Sequence, residues 1–261
     1  MYETILTSDI DDIKTITFNR IENRNSINLT LLKEINQVLD EVEYSRQYKI
    51  VVLEGQNGIF CTGMDFGIYA ASKEDVERSD SEAFAIQYKE LLKRIALYPK
   101  YIISKVDGQV MAGGVGIAAA SDLVIASSRT TFTLSEALWG LLPSMVLPYL
   151  IRRTGYQTAY KMTLTTAAVS AEEAKRVNLI DELSDDLDRT IIMMAARLRR
   201  VSSKTVKRMK EYMRKIWIID ENIEELGVAQ TSFLSAQKDV TQNIRNFVEY
   251  KKFPWEADDF I

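Results

Sequence analysis

Glu136 stands in the segment "TFTLSEALWG", with Leu134, Ala137, Leu138 and Trp139 around it. A carboxyl group in such apolar company loses hydration, which raises its pKa and suits it to exchange protons near neutral pH. A positioned acid or base of that kind contributes about 10²–10⁴ in rate. The competing role is a glutamate bonded to backbone at a helix start. Asp65, in "CTGMD", is a second candidate acid, and capping of local backbone is its equal alternative. The chain has no histidine, so Ser-His-Asp and Cys-His catalysis and the usual histidine-containing zinc sites are excluded. The lone cysteine, Cys61, excludes an internal disulfide and a cysteine-cluster metal site, and it reads as packing. Proton traffic is left to carboxylates, tyrosine, lysine or water, with Tyr69 and Tyr88 as weaker candidates.

What would these groups act on? Two loops run from apolar strands into glycine-rich backbone, "VVLEG…CTGMD" and "ISKVDGQVMAGGVG". Bare backbone approaches a ligand closely, because no Cβ intervenes. Gly113 and Gly114 open an apolar helix whose first N–H groups lack partners and favour negative charge. Tight helix–sheet packing is the ordinary alternative for the same glycines.

The elements that must hold these loops follow from periodicity. "YETILTS" and "IKTITFN" alternate and read as a hairpin, and "SINLTLLKEINQVLDEVEYS" reads as an amphipathic helix. "KIVVLEG", "YIISKVDG" and "DLVIAS" read as buried strands, with a helix over roughly 81–97 between the first two. This alternation implies an α/β fold with a largely parallel sheet. Beyond about residue 157 the pattern is helical, apart from "NLIDEL", and Ser170 with Glu173 forms a capping box.

Composition sets the outer limits. With 261 residues, 46% hydrophobic and 27% charged, the chain reads as one large globular domain with a helical appendage. A net charge of −4 argues against nucleic acid, and there is no apolar run of membrane-spanning length and no basic leader. The expectation is a cytoplasmic enzyme. Residues 197–215 carry nine basic side chains against Glu211, which reads as a solvated face or as a dock for an anionic partner.

Taken together, "CTGMD", "GQVMAGGVGIAAASDLVIAS" and "FTLSEALWGLLPS" resemble the crotonase (enoyl-CoA hydratase/isomerase) superfamily. The likeness runs from "NRIENRNSINLTLLKEI" to "SAEEAKRVNLIDEL". It implies a crotonase fold: a spiral of ββα units over residues 1–195, then a helical trimerisation region over 196–261, assembled as a trimer or dimer of trimers. It also implies an acyl thioester on CoA or on the phosphopantetheine of an acyl carrier protein, with no further cofactor and no metal. By this resemblance the thioester oxygen lies between the backbone N–H groups of Met64 and Gly113, and Gly63, Gly114 and Arg152 contact substrate. Removing a proton beside the thioester carbonyl makes an enolate, and losing one donor to such an oxyanion costs about 10²–10³ in rate. Two-carboxylate hydratases of the superfamily carry glutamates at the positions matching 116 and 136, whereas here Gly116 replaces the first.

A narrower likeness, through "FTLSEALWGLLPSMVLPYLIRRTGYQTAYKMTL" and "NIRNFVEYKKFPWE", is to the dehydratases of polyketide β-branching cassettes. It implies elimination of water from 3-hydroxy-3-methylglutaryl-carrier to the 3-methylglutaconyl thioester, with Glu136 moving the proton and Arg152 or Arg153 meeting the distal carboxylate. The alternatives are an enoyl thioester isomerase, a decarboxylase of the same superfamily, and a catalytically silent carrier-binding fold.

Overall fold

The computed structural model describes residues 2–67, 76–217 and 219–256. Tyr69 lies outside the described residues. The chain opens with the expected hairpin, β1 (Ile5–Ile10) against β2 (Ile13–Phe18), turning through Asp11 at φ 54°. Helix α1 (Leu29–Tyr44) follows, its first turn capped by Asn28, whose side chain accepts the Leu31 N–H at 2.8 Å.

A repeating unit then builds the core. β3 (Ile50–Glu54) and β4 (Ile59–Cys61) are followed by α2 (Val76–Leu97); β5 (Tyr101–Val106) and β6 (Gln109–Met111) by α3 (Gly113–Ala120). β7 (Leu123–Ala126) and β8 (Thr131–Thr133) lead into a 3-10 turn at Glu136–Trp139. Each unit gives its first strand to a large sheet and its second to a small one. With β9 (Val169–Ser170) and β10 (Glu182–Leu183) from further along the chain, the large sheet has the order β1-β2-β3-β5-β7-β10, parallel beyond the first pair, and the small one has β4-β6-β8-β9.

Helices α4 (Leu147–Thr154) and α5 (Tyr156–Thr165) precede β9 (Val169–Ser170), then come α6 (Ala171–Arg176) and β10 (Glu182–Leu183). Ser170 caps α6 as its spacing with Glu173 predicts, accepting the Glu173 N–H at 3.3 Å. Helices α7 (Leu187–Leu198), α8 (Ser203–Lys215), α9 (Glu221–Ser235) and α10 (Lys238–Tyr250) complete the described chain.

The central strands are apolar throughout because both faces of the large sheet are covered. Ile16, Val51, Leu53, Ile102 and Val124 face the main core with α1, α2 and α3. Their sequence neighbours Ile13, Ile50, Val52, Ile103 and Ile125 face the other way, against Leu187, Ile191 and Ala195 of α7 and Val206 of α8. Among the described residues no helix is long and apolar enough to cross a membrane.

Candidate active site

The small sheet places the chemistry. β4, β6 and β8 are parallel neighbours, so their C-terminal ends lie side by side about 4.8 Å apart. Met64 follows β4, Gly113 follows β6 and Glu136 follows β8, which brings three distant loops to one edge. A cavity of about 680 Å³ opens there, lined by Met64, Asp65, Tyr88, Gly113 and Glu136 together with an apolar wall.

The Met64 and Gly113 loops lie against each other at this cavity. Ile27 bridges to the Met64 loop by donating to the Gly63 carbonyl at 2.7 Å and accepting from Asp65 N–H at 3.0 Å. Because backbone groups alternate along an extended chain, the Met64 N–H is directed away from Ile27. Gly113 begins α3, and its N–H has no partner among the described residues. Ala112, just before it, holds φ 46° with its own N–H bonded to Thr133 carbonyl at 2.9 Å. That backbone region costs about 1–3 kcal/mol and persists only where its surroundings impose it.

Gly63 and Gly114, expected at the substrate, do something else. Gly63 has φ +87°, and a Cβ there would lie 2.6 Å from Ala112 Cβ and 3.1 Å from Gly113 N. A Cβ at Gly114 would lie 2.5 Å from the Cys61 carbonyl oxygen. Neither lines the cavity. Their bareness lets the Met64 turn and the start of α3 pack against each other, so they shape the site without touching its contents.

Glu136 lines the cavity in the apolar surroundings that its sequence neighbours predict. Burial pushes its carboxyl up to about 7, against the opposing pull of the Glu136 and Ser135 backbone N–H groups. Its Oε2 is shielded from solvent and has no hydrogen-bond partner among the described residues. The flanking Trp139 does not cover it alone: its ring packs on Phe66 at 5.4 Å, Phe247 at 4.8 Å and Phe253 at 5.9 Å. Helix α10 and the segment after it therefore close one side of the cavity with aromatic surface.

Asp65 lines the cavity but is already engaged. One carboxylate oxygen meets the Arg20 guanidinium at 2.7 Å, and the other accepts the Gly67 N–H at 2.9 Å. Arg20 also donates to the Ser26 hydroxyl at 3.0 Å and to its carbonyl, so the pair ties the Met64 loop to the segment before α1.

Arg152, expected at the substrate, does not line the cavity. It donates to the carbonyls of Ala119 and Ser121, and its guanidinium lies over the Trp217 ring at 4.6 Å. Burial, then the neighbouring Arg153, lower its pKa to about 10. Arg153 donates to the Ser121 carbonyl at 2.7 Å and pairs with Asp181 at 2.8 Å. Both arginines satisfy orphan carbonyls at the C-terminal end of α3, the end opposite Gly113. Among the described residues, the cations that line the cavity are Arg24 and Lys251.

The basic run is likewise not one free face. Arg199 pairs with Asp12 at 2.6 Å, Lys210 with Asp122 at 2.6 Å and Arg214 with Glu224 at 2.7 Å. Lys210 also donates to the Lys100 carbonyl at 2.9 Å and is buried. Arg200, Lys204, Arg208 and Lys215 remain exposed.

The residue that sequence reasoning undervalued is Tyr88 of α2. Its side chain is buried, stacks on Phe84 at 6.0 Å and donates its hydroxyl to the Gly113 carbonyl at 2.6 Å. A Cβ at Gly116 would lie 2.1 Å from that hydroxyl oxygen. The bare position 116 and the phenol thus claim the same volume. No pairwise motif announces this, because 28 residues separate the two in sequence.

A spiral of ββα units whose adjacent turns bring Met64, Gly113 and Glu136 to one cavity defines a class of protein. The profile of the enoyl-CoA hydratase/isomerase family matches residues 10–258, and the chain belongs to that family as a hydratase-like enzyme. It is 37% identical over 262 residues to the bacillaene synthase dehydratase PksH of Bacillus subtilis strain 168, covering 98% of this chain and 97% of the relative. It is 31% identical to the probable enoyl-CoA hydratase echA12 of Mycobacterium leprae, covering 84% of this chain and 78% of that one. Among solved structures, a putative polyketide biosynthesis enoyl-CoA hydratase (pksH) from Bacillus subtilis superposes with a TM-score of 0.86 at 34% identity. That match covers 97% of this chain and all of the other, 100%. The fold is the crotonase fold.

Proposed function

We propose that this enzyme is a dehydratase of polyketide biosynthesis that converts a 3-hydroxy-3-methylglutaryl thioester on an acyl carrier protein to the 3-methylglutaconyl thioester. The observation that carries the reading is Glu136: one buried carboxyl at the cavity, pushed up to about 7, with the place of a second carboxylate at 116 filled by Tyr88. The likeness to a relative named a dehydratase of bacillaene synthase supports it.

The chemistry runs through this chain's own groups. The thioester oxygen sits between the Met64 and Gly113 N–H groups. Glu136, as carboxylate, takes the C2 proton, and the resulting enolate oxygen is held by those amides. The protonated Glu136 returns that proton to the C3 hydroxyl; the C3–O bond breaks, the enolate electrons form the C2=C3 double bond and water leaves. One group performs both transfers when the elimination is syn. A tertiary carbinol sheds its oxygen with more carbocation character than a secondary one, so a second carboxylate is less needed. The distal carboxylate of the substrate is met by Lys251 or Arg24 at the cavity wall, not by Arg152.

Assembly as a trimer is part of the same reading. Helix α8 exposes Met209, Tyr212 and Met213, and its C-cap residue Ile216 continues this apolar stripe, which a second copy would cover. Intact-protein mass spectrometry of a 3-hydroxy-3-methylglutaryl-loaded carrier incubated with the enzyme tests the activity. Loss of the mass of water supports the dehydratase. Loss of carbon dioxide instead, or no change of mass, overturns it.

A further inference from the structure

The phenol of Tyr88 is placed where a working group would stand. It lines the cavity, it lies against both Gly113 and Gly116, and it reaches this position from α2, outside the three loops that define the site. Its ring is fixed by burial and by the stack on Phe84. Its one hydrogen is committed to the Gly113 carbonyl, at 2.6 Å. The phenolic oxygen therefore retains acceptor capacity only. Glu136 is close enough to add to the factors that disfavour ionisation of the phenol, after burial and Cys61. Tyr88 is thus a neutral, fixed hydrogen-bond acceptor beside the proton-transfer group.

We propose that Tyr88 holds the leaving hydroxyl: the substrate's C3–OH donates to Tyr88 Oη, which turns a lone pair of the C3 oxygen towards Glu136. This rests on the dehydratase reading above. Tyr88 moves no proton itself. Its bond to the Gly113 carbonyl fixes its orientation, and the bond it accepts from substrate fixes the departing oxygen. Gly116 is the complement of this arrangement, since any side chain there displaces the phenol oxygen. The site has exchanged a second carboxylate for a neutral acceptor, which suits an oxygen that must gain a proton in order to leave.

Tyr88→Phe tests this, because it keeps the ring, its burial and the stack on Phe84. Two readouts separate the roles: elimination from the 3-hydroxy-3-methylglutaryl-carrier, and exchange of the C2 protons of saturated butyryl-pantetheine in D2O. The second reports enolate formation with no leaving group involved. The expected result is a loss of about 10- to 100-fold in kcat for elimination, the scale of one hydrogen bond to a developing charge. KM rises by less than kcat falls, and the C2 exchange rate of butyryl-pantetheine, which has no C3 hydroxyl, falls far less than elimination. An unaltered elimination rate overturns the proposal, and so does an equal fall in exchange and elimination, which would make Tyr88 a support of the oxyanion site alone. Wild-type protein that exchanges C2 protons yet releases no water overturns the dehydratase reading and Tyr88's role with it.

Discussion

Asp65 and Arg20 form a 2.7 Å ion pair whose two side chains are only 17% and 12% exposed. With its other oxygen on the Gly67 N–H, Asp65 has both ends occupied and is not arranged to shuttle a proton. Asp65→Asn is expected to leave kcat within about tenfold of wild type while lowering stability by about 1–3 kcal/mol. Steady-state kinetics alongside thermal unfolding checks this; a collapse of kcat with stability intact would make Asp65 a proton-transfer group after all.

Glu136→Gln removes the group to which the proposed mechanism gives both transfers, and kcat should fall by about 10²–10⁴. The proposed mechanism has the carboxylate form take the C2 proton, so kcat/KM is expected to rise with pH through about 7. That limb should be missing from the variant's profile.

The same shift has a consequence for stability. Glu136 goes from an ordinary 4.5 to about 7 on folding, so folding favours its protonated form. That contribution is full below pH 4.5 and has gone once pH passes about 7. Wild type should lose up to about 3 kcal/mol from this group across that window, and Glu136→Gln should not. Chemical denaturation of both proteins at a series of pH values measures the difference.

Gly116→Ala places a methyl group on the Tyr88 hydroxyl and 3.0 Å from Val146 Cγ2, and should cost about 1–3 kcal/mol. In a Tyr88→Phe background the nearest remaining ring atom, Cζ, is 3.3 Å away, and the penalty should shrink. A double-mutant cycle of denaturation midpoints reads the coupling. Additive penalties would mean that the two residues do not compete for the volume.

Lys210→Met leaves Asp122, itself bonded to the Ile102 N–H at 2.7 Å, without its counter-ion. Breaking such a pair from one side costs about 3 kcal/mol or more. A large drop in melting temperature with KM unchanged for the folded fraction is expected, since this cluster lies behind α3 and away from the cavity.

Much of this was legible in the chain itself. The hairpin, the amphipathic first helix, the buried strands and the Ser170 cap follow from local periodicity and capping chemistry, which depend on near neighbours. That Met64, Gly113 and Glu136 meet at one cavity was legible for a different reason: each follows a strand, and a family pattern fixes their spacing. The failures share a cause. Arg152 follows an apolar helical pattern whether it points at substrate or at the carbonyls of Ala119 and Ser121, and only tertiary packing decides. Gly63 and Gly114 look like ligand contacts because close approach to a ligand and close approach to another loop demand the same bare backbone. Tyr88 was undervalued because its meaning depends on what position 116 lacks.

The arginine-capped end of α3 has a practical bearing. This helix spans only eight residues, about 12 Å, and presents the Gly113 amide at its other end. Arg152 and Arg153 anchor it from the rear, so the position of the Gly113 amide depends on side chains that lie outside the cavity. Directed evolution towards new acyl chains should therefore yield productive changes at 119–122, 152 and 153 as well as around the cavity. A library confined to the cavity walls would sample half of the levers.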